Sequence, residues 1–348
     1  MSIAGAGIIG LSCAWELVRR GVSVSIWDIQ PPHLSASDVA AGMLGPAFEA
    51  AHSNAPDDFL ELCLESKSIW TDFASSIQDN AHNPVDYHEG YTLAVACNAQ
   101  QAEDLDSLET RLRDKGIACE RGLSPELRSQ NQLSGAVLEG LKLPTDGWVN
   151  PRLVFRQLTK ALALKGVQVV RGIDTEFGNE PVDIEVCAGW RVPQEQSCLA
   201  ALPSMVEAWR KELQVHTVRG CMLNYSPQSL KTKQVVRCGD EYVVPRAGDE
   251  CTYLGATVGD VEGAESFLEA RARGFLDLRD GVRPVGGRTG FRPRFADGLP
   301  RIGPLSDRVF VAMGHYRNGI LLAPITAKLI ADMILGAPLP EYAARFTP

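Results

Sequence analysis

Gly5-Ala6-Gly7-Ile8-Ile9-Gly10 is a G-x-G-x-x-G turn, and Asp28 stands 18 residues after its last glycine. Glycines at that spacing predict a strand, a tight turn and a helix whose N-terminus faces a dinucleotide pyrophosphate. Gly5 allows the turn, Gly7 lets backbone approach the phosphates, and Gly10 lets the helix pack close to the sheet. The helix start offers free N–H groups and a positive dipole end to the anion. Apolar residues from Ile8 to Val18 recur at helical spacing, and Gly21 is placed to end that helix. Val22, Val24 and Ile26 then alternate with serines, as in a strand. Asp28 ends it, where a carboxylate can accept both ribose hydroxyls of an adenosine. Only Met1 to Ala4 precede the first glycine, so the opening strand is predicted to be very short.

Working outward, 348 residues exceed one ordinary core, and two lobes are expected. Residues are 45% hydrophobic and 22% charged, the balance of a soluble globular protein. The net charge of −9 argues against nucleic acid or an anionic membrane as main partner, while leaving room for a local basic pocket. No apolar run reaches the roughly 18 residues that span a bilayer. The start leaves no room for a signal peptide, so a cytoplasmic location is expected. The nine cysteines contain no C-x-x-C pair and the six histidines no H-x-x-x-H pair. Free thiols in a reducing compartment, and no metal site, follow from that.

Helices are predicted over 57–77, 100–115, 151–165, 202–213, 261–279 and 320–335, the third capped by Asn150 with Pro151 at its first position. Strands are predicted over 91–97, 167–170, 183–190, 215–218, 235–237, 242–245 and 309–312. The small-residue run Ala40-Ala41-Gly42-Met43-Leu44 fits close approach of a ligand and tight helix packing equally well. A second glycine turn, Gly314-His315-Tyr316-Arg317-Asn318-Gly319, precedes the closing helix, whose positive end suits the N1–C2=O edge of an isoalloxazine. Pro324 falls too late for a first-turn proline and is predicted to distort that turn. The chain thus begins and ends with a strand–glycine-turn–helix unit. The simplest architecture joins both units in one sheet and inserts the β-rich middle as a second lobe, with the site between.

GAGIIG at 5–10, AAGML at 40–44, RG at 219–220, YVVPR at 242–246, GAT at 255–257, FRP at 291–293 and GHYRNGILLAP at 314–324 resemble, in order, the FAD-dependent D-amino acid oxidase group. Within that group the pattern is most similar to glycine oxidase of thiamine biosynthesis. The resemblance implies an α/β, two-lobed fold, with a Rossmann-type FAD-binding lobe and an inserted antiparallel-sheet substrate lobe. It places the FAD-binding domain at 1–85, 140–195 and 296–348, and the substrate domain at 86–139 and 196–295. It implies non-covalent FAD, molecular oxygen, a small amino acid or amine such as glycine, sarcosine or D-alanine, and a homo-oligomer. FAD contacts carry over to Ile8, Ile9, Asp28, Ser37, Ala41, Gly42, Met43, His315, Tyr316, Arg317, Asn318, Gly319, Ile320 and Leu321, beside the turn glycines Gly5, Gly7 and Gly10. The carboxylate-binding arginine falls on Arg292, the active-site tyrosine on Tyr242, and an arginine near the flavin on Arg317.

Chemistry supports these roles separately. Arg292 can grip a carboxylate with two parallel hydrogen bonds, which a lysine cannot do. Tyr242 can donate its O–H to the same group. Three features depart from the pattern: Val258 follows GAT where a methionine is usual, Asp240 stands where a histidine can occur, and 171–181 is shortened. They bear on the substrate more than on the cofactor. The alternatives are a D-amino acid or sarcosine-type oxidase or dehydrogenase, and a non-catalytic flavin-binding subunit. A NAD-dependent dehydrogenase would satisfy GAGIIG alone, but it has no use for the second glycine turn.

Overall fold

The computed structural model describes residues 1–28, 36–52, 55–78, 85–171, 185–188, 215–246, 251–257 and 263–348. Strand Ser2–Ala4 runs into Gly5, whose φ of +106° favours glycine, and Gly5 N donates to Trp27 O at 2.8 Å. Helix Ile8–Arg19 follows at once. Its end is a Schellman cap: Gly21 (φ +83°) donates to Val18 O and Val22 to Leu17 O, each at 3.0 Å. The next strand is Ser25–Asp28, later than the alternation from Val22 implied. Val22 is committed to the helix cap. Pairing starts where Ser25 N reaches Met1 O, the first residue of the short opening segment.

Among the described residues, six strands form the first sheet, in the order Arg301–Ser306, Val309–Met313, Glu185–Ala188, Ser2–Ala4, Ser25–Asp28, Val169–Arg171. All pairs are parallel except the first, a hairpin. Both ends of the chain therefore share one sheet. Helix Ile8–Arg19 packs along the closing helix Gly319–Leu335 and along Pro151–Leu164. The core between sheet and helices includes Ile3, Leu11, Leu17, Ile26, Leu158, Ile325 and Leu329. Asn150 caps its helix as expected, accepting from Arg152 N at 3.2 Å, with Pro151 in the first turn.

The closing helix runs through Pro324. An interior proline costs about 3 kcal/mol. Burial of Leu321, Leu322, Ile325, Leu329 and Ile330 contributes roughly 1.5–3 kcal/mol each and outweighs it. Pro324 has no N–H to offer the Ile320 carbonyl. One residue further on, Leu321 O accepts from Ser66 Oγ at 2.6 Å and from Trp70 Nε1 at 2.9 Å, which ties the start of the closing helix to helix Asp57–Ser76.

The second sheet has the order Gly286–Arg294, His216–Tyr225, Thr252–Thr257, Glu241–Val244, Val235–Cys238, Thr92–Ala96, Glu139–Leu143, Glu120–Arg121. It is antiparallel except that Val235–Cys238 lies parallel to Thr92–Ala96, where two separate excursions of the chain meet. Strand Glu139–Leu143 lies wholly in this sheet, across the boundary expected at 140. Pro293 is tolerated because Gly286–Arg294 is the edge strand. Alternation divides the faces. Cys221, Leu223, Tyr225, Val236, Val243, Leu254 and Ala256 pack against Leu268, Ala272 and Phe275 of helix Ala264–Phe275. The opposite face carries Met222, Val235, Tyr242, Val244 and Tyr253, which pack with Ala41 and Trp148. That second face builds the site. The helix expected at 202–213, the shortened segment 172–181 and Val258 lie outside the described residues, as does most of the strand expected at 183–190 beyond Glu185–Ala188. Among the described residues no helix is long and apolar enough to cross a membrane.

Candidate active site

Residues directly opposite in an antiparallel pair project to the same side of a sheet. The register pairs Tyr242 with Gly255, Gly255 with Met222, Met222 with Arg288, and Gly220 with Gly290. Arg292 pairs with Val218, two residues from Gly220 on the same face. Two glycines make room here. A Cβ on Gly220 would lie 2.5 Å from Arg292 Nη2, and a Cβ on Gly255 would lie 2.5 Å from the Tyr242 hydroxyl. Arg292 and Tyr242 thus each lie across a glycine of the neighbouring strand. The RG and GAT pairs are explained by what rests on them.

Both side chains line one open cavity. Ile8, Ser37, Ala41, Gly42, Met43, Tyr316, Arg317, Asn318, Gly319 and Ile320 line it too. Three segments far apart in sequence therefore meet around one cavity. Gly5, Gly7, Ile9, Gly10 and Asp28 lie outside this cavity, in the first glycine turn and around it. Asp28 Oδ2 accepts from Ala6 N at 2.8 Å, which fixes the carboxylate over that turn. Ser37 Oγ accepts from Ile8 N at 2.9 Å and so sits at the first helix's N-terminus. At two of the expected positions polar groups have protein partners. The His315 ring bonds Thr326 Oγ1 at 2.9 Å inside the closing helix, and the Leu321 carbonyl is taken by Ser66 and Trp70. Gly42 has a packing reason to be glycine: φ is +82°, and a Cβ would stand 2.0 Å from the Val149 carbonyl oxygen.

The cavity also holds charges that spacing alone did not single out. Glu49 Oε1 accepts from Arg237 Nη2 at 2.6 Å and from Arg317 Nη2 at 3.3 Å. Arg317 Nη1 reaches Asp240 at 3.2 Å on the rim. Glu49 is the main cause that raises the Arg317 pKa, while burial lowers that of Arg237, whose side chain is only 2% exposed. The Arg237 guanidinium stacks 3.9 Å from the Phe48 ring centroid. Arg288 donates to Asp38 at 3.3 Å, and Arg152 shares that carboxylate at 3.2 Å. Val39 seals this corner: a Cβ on Gly290 would lie 2.0 Å from its Cγ2. One signal was available for Arg288. It stands at i−4 from Arg292 in a strand, hence on the same face. Nothing local marked Glu49 or Arg237, because their partners are remote in sequence. Among the described residues no group of three His, Cys, Asp or Glu is placed to hold a metal ion.

Residues 2–333 match the DAO family of FAD-dependent oxidoreductases. The chain belongs to that family. It is 32% identical over 96% of its length to the bifunctional protein ThiO/ThiG of Trichormus variabilis, of which it spans 52%. It is 28% identical to glycine oxidase of Geobacillus kaustophilus, over 96% of this chain and 92% of that one. The crystal structure of that glycine oxidase superposes with a TM-score of 0.82, covering 99% and 97% of the two chains. Iminodiacetate oxidase from Chelativorans sp. BNC1 shares the fold at a TM-score of 0.80 and 19% identity.

The DAO-family cofactor, FAD, fits the donors present. The first turns of helices Ile8–Arg19 and Gly319–Leu335 carry N–H groups with no intrahelical partner, and Gly7 and Gly319 meet no side chain closer than 3.5 Å where a Cβ would be. Ile8, Ser37, Ala41, Gly42 and Met43 would hold it on one side, and Tyr316 to Ile320 on the other.

Two expected results follow from this geometry. Gly255→Ala forces the Tyr242 ring off its neighbour and raises KM for a carboxylate substrate about 10-fold, the equivalent of one charge-assisted hydrogen bond. Unchanged steady-state kinetics at unchanged FAD content would remove Tyr242 from substrate binding. His315 is pushed down to about 3 by burial, so it is neutral when folded. Unfolded histidine takes up a proton below about 6.5. Its contribution to stability is therefore complete above that pH and is lost as pH falls toward 3. Urea unfolding should show the wild type losing about 2 kcal/mol more than His315→Gln between pH 7 and pH 5. Equal losses would contradict a buried neutral ring.

Proposed function

We propose that this protein oxidises glycine or a related small amine or amino acid, using FAD and oxygen, to an imine that hydrolyses to the 2-oxo acid, with release of hydrogen peroxide. One observation carries the reading. Arg292 and Tyr242 lie across neighbouring glycines on one sheet face, in the cavity that the closing helix enters. Arg292 presents a planar fork for a carboxylate, and Tyr242 a hydroxyl for the same group. Both are buried or half-buried and backed by packed strands, so the α-carbon is held in one pose. Arg317, fixed by Glu49 and Asp240, adds positive charge where the substrate's electrons are received. FAD, when bound, accepts the two electrons that leave the α-carbon as the amine becomes an imine. A role in thiamine biosynthesis belongs to the same proposal. The names of the glycine oxidase and ThiO/ThiG relatives support it.

Anaerobic titration of the yellow holoprotein with glycine, sarcosine and D-alanine tests the reading. Glycine should bleach the flavin band, and admission of air should return it with release of peroxide. Bleaching only by bulkier amines would move the assignment to a D-amino acid or sarcosine-type enzyme. Return of colour without peroxide would make it a dehydrogenase. No bleaching by any of them would leave a flavin-binding subunit.

A further inference from the structure

Cys97 and Cys238 are the only two described cysteines recorded in contact with each other: Cys238 Sγ donates to Cys97 Sγ at 3.9 Å. Cys238 ends strand Val235–Cys238, and Cys97 follows the parallel strand Thr92–Ala96 directly, so the sheet itself juxtaposes them. Their environments differ. Cys238 is 4% exposed, whereas Cys97 is half-buried, and both pack on the face of the sheet that carries helix Ala264–Phe275. Gln101 Oε1 accepts from both Cys97 N at 2.8 Å and Cys238 Sγ at 3.6 Å, which ties the pair to the start of helix Ala99–Asp114. We propose that Cys97 and Cys238 form a peroxide-reactive dithiol, with Cys97 the attacking sulfur and Cys238 the resolving one.

The one S–H of Cys238 has two acceptors in reach, Gln101 Oε1 and Cys97 Sγ, and the Cys97 thiol itself donates to Gly274 O at 3.5 Å. Turned toward Cys97, the Cys238 S–H favours the Cys97 thiolate, the nucleophilic form, and lowers its pKa, while the same contact and then burial raise that of Cys238. The Cys97 thiolate attacks one oxygen of hydrogen peroxide. An S–O bond forms, the O–O bond breaks, and hydroxide leaves. Cys238 then attacks the sulfenic sulfur, forming the S–S bond and expelling the oxygen as water. Two thiols and one peroxide thus give one disulfide and two waters. The sulfurs must close from 3.9 Å to about 2.05 Å for the disulfide to form. The chemistry does not depend on turnover, although peroxide released by the proposed oxidase would be its nearest source.

The test adds hydrogen peroxide to the reduced full-length holoprotein without substrate and follows intact mass and linked peptides. The wild type should lose about 2 Da, yield a Cys97–Cys238 linked peptide, and recover its mass with dithiothreitol. Cys238→Ser should instead gain oxygen at Cys97, about 16 or 32 Da. Cys97→Ser should leave Cys238 unmodified under the same exposure. Oxidation of other cysteines while this pair stays reduced would overturn the proposal, as would a linked peptide formed equally fast in a dithiol pair from the denatured chain.

Discussion

Arg292→Lys is expected to lower kcat/KM for glycine, or for whichever small amino acid proves to be turned over, by roughly 100-fold, and Arg292→Glu to abolish it. The estimate follows from the fork. Lysine keeps the charge but loses the second parallel bond and the planar surface that rests on Gly220, costing about 3 kcal/mol of discrimination. FAD content should stay at the wild-type level in both variants, since the proposed cofactor contacts lie on other segments. An amine without a carboxylate should be indifferent to the lysine change. If glycine and such an amine lose activity equally, Arg292 acts through the fold and not on the carboxylate. Steady-state kinetics with FAD quantified by absorbance decides between the two.

Glu49→Leu should be the most destabilising single change at the site. It removes the hydrogen-bonded counter-ion of Arg237, whose side chain is only 2% exposed, leaving buried Asp146 as its other carboxylate neighbour, and loosens Arg317 as well. Breaking a buried ion pair by removing one partner costs roughly 3–5 kcal/mol, about 10 °C in Tm for a chain of this size. The double variant Glu49→Leu, Arg237→Met exchanges the ion pair for apolar contact with Phe48 and should recover most of that loss. Its activity should remain low, because Arg317 still lacks its buried partner. Thermal melts of the two singles and the double form a cycle. Additive losses would show that Glu49 and Arg237 do not stabilise one another.

The glycine positions show how much of this was legible beforehand. Gly5 and Gly21 announce a turn and a helix end by backbone rules alone, and both have positive φ where the pattern required it. Gly220, Gly255 and Gly290 carry no such mark. Their meaning is a side chain from another strand or loop, Arg292, Tyr242 and Val39 respectively, which only the register reveals. The strand expected from Val22 began three residues late, since a helix cap competed for Val22 and the alternation could not register that competition.

By itself the sequence determined the local units: the glycine turn and its helix, the capped helix at Pro151, the closing helix, and the motif order that places the chain among FAD-dependent oxidoreductases. These depend on neighbours within a few residues, where dihedral preferences and apolar spacing act directly. Folding brings Glu49 to both Arg237 and Arg317, Asp38 to both Arg152 and Arg288, and Cys97 to Cys238. Each of those contacts spans more than a hundred residues of chain, and its energy comes from burial and charge pairing that exist once two sheets have closed on one cavity.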